Sequence, residues 1–396
     1  MNQKIKFYPV DNGDATLITL SDSTTIMVDC KIRNSAEDPE DTAKFDVKKD
    51  LLESVKKKGN KPFIDVFILT HPDKDHCHGF KKHFYEGKPE DYNHKNLEND
   101  EIIVDELWVT SMLFTAAEND DAKALKKEAE RRRKLWNDNN ADKNKSGNKI
   151  RLIGYDGNEK YKNVPTSIPG EVINTFNGSL KSTFEIFIHS PFKDTLITAR
   201  SEKDKNYSSI VIQARFKVSS TDTAFKHFVL LGGDADHYNW KEIYDKSKQH
   251  NNMDKLKWDL FLAPHHSSWT YFNNVPYGST EDSKTPKETS LKVLDQKVGD
   301  GKIISSCKVI KNNNDNPPHH KAKEEYLKKV NKKEDFINLA IEPSEDSPEP
   351  LVFEFTSSGV VKQKNSKEKE EEEKKKLESA YRVASSAAIR QPWCNK

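Results

Sequence analysis

A nearly continuous apolar run, Phe63-Ile64-Asp65-Val66-Phe67-Ile68-Leu69, leads straight into Thr70-His71-Pro72-Asp73-Lys74-Asp75-His76-Cys77-His78-Gly79. The run reads as a buried strand, and it follows a Lys-rich segment with helical periodicity through Val47, Leu51, Leu52 and Val55. A strand of this kind after a helix suggests a sheet covered on that face, as in an α/β fold. Within six residues the loop then offers His71, Asp73, Asp75 and His76, all good ligands for a hard or borderline divalent cation. A loop leaving a strand end can turn two ligands to one metal and the next two to a second. Two-metal hydrolases hold their ions about 3.5–4 Å apart, so that one water is activated between them. The plain alternative is a polar turn that holds two His and two Asp by accident.

Two more strand ends reduce that alternative. Leu230-Leu231-Gly232-Gly233-Asp234 places a carboxylate just after another buried run, where it can bridge two cations. Leu260-Phe261-Leu262-Ala263 runs into Pro264-His265-His266-Ser267-Ser268, ending a strand on two imidazoles. In layered α/β folds, strand ends on one edge collect the residues of the site.

Composition narrows the class. The 396 residues are 34% apolar and 33% charged, so the core is concentrated in a few segments. Lys+Arg 65 against Asp+Glu 64 gives a net charge of +1, which argues against a globally basic nucleic-acid coat protein. The longest apolar runs are strand-length, too short for a bilayer, and no apolar signal segment follows Met1. Cys30, Cys77, Cys307 and Cys394 form no CxxC pair, which speaks against a disulfide framework or a cysteine zinc knuckle. The expectation is a cytoplasmic protein with no membrane segment.

Along the chain, Ile5–Val10, Ala15–Leu20 and Thr25–Val28 are short β-prone runs separated by Asp11-Asn12-Gly13-Asp14 and Ser21-Asp22-Ser23, which predicts an antiparallel meander. Strand-like runs return at Phe184–Ile188, Ser209–Phe216, Phe228–Leu231, Leu260–Ala263, Ile303–Ile310 and Leu351–Phe355. Residues 116–148 interrupt this order with a helical, charge-rich stretch read as a surface insertion. Its Arg131-Arg132-Arg133-Lys134 run is read as a solvated helix face, with a phosphate contact as the alternative. Residues 361–396 contain a low-complexity charged run (367–376) and read as a flexible tail.

Further motifs carry the comparison with a known family. Val10-Asp11-Asn12-Gly13-Asp14-Ala15 stands where that family has a Val-Gly-Gln-Gly-Asp-Ala-like turn, and Met27-Val28-Asp29 is a strand ending in Asp. Thr70 to His76 matches Thr-His-x-Asp-x-Asp-His at every specified position, and Asn206-Tyr207-Ser208-Ser209-Ile210-Val211 resembles an Asn-x-x-Ser-x-Val strand. Gly232-Gly233-Asp234, Pro264-His265-His266-Ser267-Ser268 and the 313–320 loop resemble the family's Gly-Asp, Pro-His-His-Gly-Ser and Asn…His-Pro motifs. Over residues 1–360 the sequence resembles a metallo-β-lactamase-fold hydrolase, in the branch typified by the hydrolase domain of the competence protein ComEC. The resemblance implies an α/β protein of four layers, an αββα sandwich, with the site along the upper edges of two facing sheets.

It further implies that His71 and Asp73 face one metal, while Asp75, His76 and one of His265 or His266 face the other, with Asp234 bridging. His265, nearer its strand end, is favoured. No motif supplies the usual third imidazole for the first metal, which leaves that metal weakly held or absent. His189, at a strand end, is the candidate, although a structural histidine is the stronger reading. The oxygen-rich ligand set suits one or two divalent ions, Mn²⁺ or Zn²⁺, leaning to Mn²⁺. Asp75 or Asp73 would orient the attacking water. His319, His320 and Asn316 are candidates for a phosphate or leaving-group contact, with a polar loop equally favoured. Trp269, Tyr271 and Phe272 are candidates for base stacking or for the core.

The activity implied is a phosphodiesterase or nuclease acting on DNA, RNA or a nucleotide. Two readings compete with it: a binding or assembly protein with a degenerate metal site, docking a partner through 116–148 or 361–396 in a multi-protein (defence) system, and a lactone or thioester hydrolase.

Overall fold

The three N-terminal β-prone runs form the meander that their turns predict. Lys4–Phe7, Thr16–Thr19 and Thr25–Val28 pair antiparallel in chain order in the computed structural model, which describes residues 2–37, 44–369, 372–375 and 378. From Thr25–Val28 the pairing turns parallel: Lys61–Ile68, Ile103–Val109, Lys149–Ile153 and Thr166–Ser167 follow in register. Leu351–Thr356 and Gly359–Lys362 close the opposite edge, and with Lys56–Lys58 this sheet has ten strands among the described residues. A second sheet of seven strands runs in the order Phe336–Asn338, Lys297–Ser305, Trp258–Leu262, His227–Leu231, Val211–Phe216, Phe184–Ser190 and Val172–Ile173. Its first four strands are parallel and the remainder antiparallel. The chain is thus a mixed α/β protein with several sheets.

Side chains from both sheets share one apolar cluster. Ile5, Phe7, Ile18, Val66 and Phe353 of the first sheet meet Ile186, Ile212, Val229, Leu260 and Ile304 of the second, all buried. Phe216 and Phe355 stack across this contact with ring centroids 3.8 Å apart. The alternate residues Met27, Ile64, Phe67 and Leu107 pack with helical side chains such as Leu51, Phe80 and Leu125. On the second sheet, Leu230, Phe261 and Ile303 do the same with Trp240, Leu294 and Tyr326. This period-2 division places two apolar faces on each sheet, which is why its strands read as continuous rather than alternating runs.

One strand is added to those expected, and three expectations change. The strand Ile103–Val109 is central and entirely buried, yet Asp105 and Glu106 interrupt its apolar run. Lys58 Nζ lies 2.5 Å from Asp105, and the Asn177 N–H donates to Glu106 Oε2 at 2.8 Å, so partners remote in sequence make these burials tolerable. The helix Asp120–Asn137 lies within the stretch expected to be a surface insertion, but Ala122, Leu125 and Ala129 on one stripe enter the core. Its basic run is neither a solvated face nor a phosphate contact throughout. Arg132 is buried, its Nε 2.8 Å from Glu128, and its guanidinium donates to the carbonyls of Val104 and Lys149. Val361 and Lys362 belong to the edge strand rather than to the tail. Residues 366–369 and 372–375 are helical, and apart from residue 378 the rest of the expected tail lies outside the described residues. Among the described residues no helix is long and apolar enough to cross a membrane.

Candidate metal centre

The site gathers where parallel strands end. Ile68, Leu231 and Leu262 close three of them, and Val28 closes a fourth next to Ile68. Beyond Ile68 the chain passes through Thr70 and His71 to Asp73, then forms the short helix Lys74–Cys77, which carries Asp75 and His76. Asp29 holds this loop to the neighbouring strand end: Thr70 donates its backbone N–H to Asp29 Oδ1 and its hydroxyl to Oδ2, both at 2.7 Å. Gly233, with φ +49°, lets the next loop pass against Thr70, and its carbonyl accepts the His265 N–H at 3.0 Å. His265, His266 and Ser267 are three successive left-handed residues (φ 49°, 51° and 62°). Such a run is rare outside glycine and costs strain, which tends to persist at functional sites.

That turn sends the two imidazoles to opposite oxygens of Asp234. Oδ1 lies 3.0 Å from His76 Nε2 and 3.4 Å from His266 Nε2. Oδ2 lies 3.6 Å from both His71 Nε2 and His265 Nε2. His266 Nε2 is also 3.2 Å from Asp75 Oδ2 and 3.2 Å from His76 Nε2, while His71 Nε2 is 3.5 Å from Asp73 Oδ2. Asp75, His76, Asp234 and His266 therefore form a compact set, with one donor atom from each lying within 4.8 Å of the others. His71, Asp73 and His265 form a wider set on the far oxygen of Asp234. The expectation that His265 would join Asp75 and His76 is corrected: the left-handed turn gives that place to His266. His265 instead stands beside His71, where sequence reasoning found no third imidazole.

Several observations fit a divalent ion in the compact set. Asp234 Oδ1, and His71 Nε2 in the wider set, are buried and make no hydrogen bond among the described residues, although nitrogen and oxygen neighbours crowd both. Ligand-type atoms gathered at 3.0–3.4 Å are placed to share one ion. Tetrahedral ligands about 2.1 Å from a metal stand about 3.4 Å apart, and octahedral ones about 3.0 Å apart. Four of the six separations, 3.0, 3.2, 3.2 and 3.4 Å, span those two values, and the other two lie within 4.8 Å. Asp14, Asp29 and Asp234 are also buried around His76, and buried acids at this density are stabilised by a nearby positive charge.

The local electrostatics follow from that crowding. Burial pushes the Asp14 carboxyl up to about 6, against the pull of His266 and His76. Burial also raises Asp73, but His71 and Lys205 more than offset it and hold the carboxyl down to about 2. Partial burial likewise opposes the charge on Asp75, yet His266 and His76 bring it below its ordinary value. Burial opposes a charge on His76, and Asp234 and Asp29 overcome this to raise it well above the usual imidazole range. The side chains of His71, His76 and His266 are fully enclosed, whereas those of Asp73 and Asp75 keep 33% and 35% of their surface. The centre is therefore open on the side of these two carboxylates.

Other anticipated residues lie elsewhere or do other work. His189 is not with the cluster: its Nε2 pairs with the Lys255 carbonyl at 2.9 Å, and burial lowers the ring to about 4. Trp269, Tyr271 and Phe272 are core residues rather than a stacking platform, and Trp269 Nε1 donates to the Ser283 carbonyl. Asn316 Oδ1 accepts from Ser268 Oγ and the Trp269 N–H, anchoring its loop. His319 caps the helix His320–Leu327, and His320 Nδ1 lies 2.6 Å from the Asn313 carbonyl; among the described residues neither ring has a hydrogen bond to the cluster. The roles of Asp29, Asp14 and Lys205 at the centre were not anticipated. The Asp11–Asp14 turn joins the two sheets there: Gly13 N–H approaches His266 Nδ1 at 3.1 Å, and Ser306 Oγ donates to the Gly13 carbonyl at 2.5 Å. Its glycine was the available signal, since a Cβ at Gly13 would stand 2.7 Å from the Asp75 carbonyl oxygen.

No protein-family model matches the sequence, and no curated protein matches it. Among solved structures, the isothiocyanate hydrolase from Delia radicum gut bacteria is similar at 12% identity and a TM-score of 0.35, with 88% of this chain and 98% of that chain covered.

Proposed function

We propose that the protein is a metal-dependent phosphodiesterase on a four-layer αββα frame of the ComEC-like kind. The observation that carries the reading is the division of Asp234, one oxygen toward His76 and His266 and the other toward His71 and His265. A carboxylate so shared suits a bridge between two divalent ions. The frame is supported by the apolar cluster common to both sheets and by the helices packed on their other faces.

A divalent ion supplies two things at such a centre: it lowers the pKa of a water it binds, and it offsets charge on phosphate oxygens. The protein's own contribution is positional. Asp73 and Asp75 border the open side and accept hydrogen bonds from the attacking water there. His71, His76 and His266 are enclosed and hold their geometry without competing solvent. A cavity of about 630 Å³ opens beside Asp75, lined also by Asn12, Lys31, Arg33, Lys74 and His78. Lys31, Arg33 (itself paired with Asp11) and Lys74 on its wall favour an anionic substrate over a neutral lactone.

The test is hydrolysis of bis-p-nitrophenyl phosphate with Mn²⁺ or Zn²⁺, alongside lactone and thioester substrates, for the wild type and for Asp75→Ala and Asp234→Ala. The expected result is phosphodiester turnover that both substitutions abolish while the circular dichroism spectrum is preserved. Wild-type turnover in either variant, or preference for the esters, overturns the proposal.

A further inference from the structure

We infer that Lys205 sets the unequal strength of the two metal positions by holding Asp73 away from full service to the His71 side; this rests on the metal-centre reading above. Lys205 precedes the single turn Asn206–Ser208, and its side chain is only 14% exposed. Its Nζ donates to Asp73 Oδ1 at 2.9 Å and to Glu118 at 2.8 Å. One oxygen of Asp73 is thus held by an ammonium, and only Oδ2 faces His71, at 3.5 Å. Among the described residues no ammonium is hydrogen-bonded to Asp75, which feels the Lys31 charge without an ion-pair contact and whose Oδ2 lies 3.2 Å from His266 among the compact donors.

Two physical consequences follow. The fixed positive charge beside Asp73 repels a divalent ion on the same carboxylate, an effect that grows in a poorly solvated site. It also limits Asp73 to one ligand atom, because a two-oxygen contact would have to displace Lys205. The separations agree, at 3.5–3.6 Å on the His71 side against 3.0–3.4 Å on the His76 side. Lys205 is therefore a positioning residue: the His76 side fills first, and the His71 side fills at higher metal concentration.

The experiment is calorimetric titration of metal-stripped full-length protein with Mn²⁺, read as two stepwise affinities, in wild type, Lys205→Gln and Lys205→Arg. The expected wild-type result is one tight and one weaker step. Lys205→Gln tightens the weaker step about tenfold or more and leaves the tight step in place, while Lys205→Arg behaves as the wild type. Equal steps in the wild type, an unchanged weaker step in Lys205→Gln, or an Arg variant that behaves like the Gln variant overturns the inference. A wild-type protein that takes up no ion overturns the metal reading itself and this inference with it.

Discussion

Asp29 Oδ2 lies 2.7 Å from His76 Nδ1, and the same carboxylate receives both the hydroxyl and the backbone N–H of Thr70. With Nδ1 engaged, His76 is left to present Nε2 to Asp234, and its ring cannot rotate without breaking the link. Such carboxylate–histidine pairs typically contribute 10- to 100-fold in metal affinity. Asp29→Asn keeps the size of the side chain but replaces one acceptor oxygen with a donor. The expected result is a loss of about that size in the tight affinity, measured by calorimetry, with the far-ultraviolet spectrum of the metal-free protein unchanged. Unaltered affinity would remove Asp29 from the account of the site.

The contact between Gly233 and Thr70 gives a second prediction. A Cβ at Gly233 would stand 2.8 Å from Thr70 Oγ1 and 2.9 Å from Thr70 Cβ, at a backbone φ of +49°. Gly278 also has positive φ, +82°, but its Cβ would meet nothing within 4 Å. Gly278→Ala is expected to cost about 1 kcal/mol, the conformational cost alone. Gly233→Ala is expected to cost about 2–4 kcal/mol in urea unfolding and to weaken metal uptake as well, because the clash falls on the threonine that Asp29 holds. Equal effects at the two glycines would show that the loop gives way freely.

These contacts also explain what the sequence could and could not reveal. The four candidate ligands of Thr70–His76 were legible because one strand end carries them all. Asp234 and the His265-His266 pair were legible as strand ends of the same kind. Which imidazole serves which side was not, because His265 and His266 separate through consecutive left-handed residues rather than through strand alternation. Asp14 and Asp29 looked like turn and strand-end residues because their partners, His266 and His76, are remote in sequence. Trp269, Tyr271 and Phe272 followed the histidines closely enough to suggest a platform, yet a helical turn carries them into the core. Ile103–Val109 was missed for the converse reason: its acids look solvent-facing until Lys58, Trp108 and Asn177 are placed beside them.

Arg132 provides a test of how far the 116–148 stretch belongs to the fold. Its guanidinium binds Glu128 and the carbonyls of Val104 and Lys149, tying the helix to the end of the sheet. Arg132→Met retains apolar bulk but leaves two carbonyls unanswered and removes one of the two arginines on Glu128. The expected loss is about 3–5 kcal/mol in denaturant unfolding, typical of a buried pair deprived of one partner. The same substitution at Lys134, whose link to Asp138 is exposed, is expected to cost under about 1 kcal/mol. Similar small losses at both positions would return the helix to the status of a surface appendage.

Asp259, which is not one of the cluster residues, predicts a pH dependence of stability. It lies within the strand Trp258–Leu262, and its Oδ2 accepts the Phe228 N–H at 2.7 Å. Burial raises the carboxyl from 3.8 to about 6, with the Phe228 hydrogen bond only partly opposing it. The folded state therefore binds this proton more tightly than the unfolded chain does. Its contribution is most favourable below the unfolded value, declines as pH rises from about 4 to 6, and is flat above. Asp259→Asn retains an acceptor for Phe228 and has no proton to lose. The variant is expected to exceed the wild type in stability by about 1–3 kcal/mol at pH 8, with the gap narrowing toward zero at pH 4. Urea unfolding of both proteins at the two pH values measures this, and the difference between the gaps cancels titrations common to both. A gap of the same size at pH 4 and pH 8 would mean that burial does not hold the Asp259 proton.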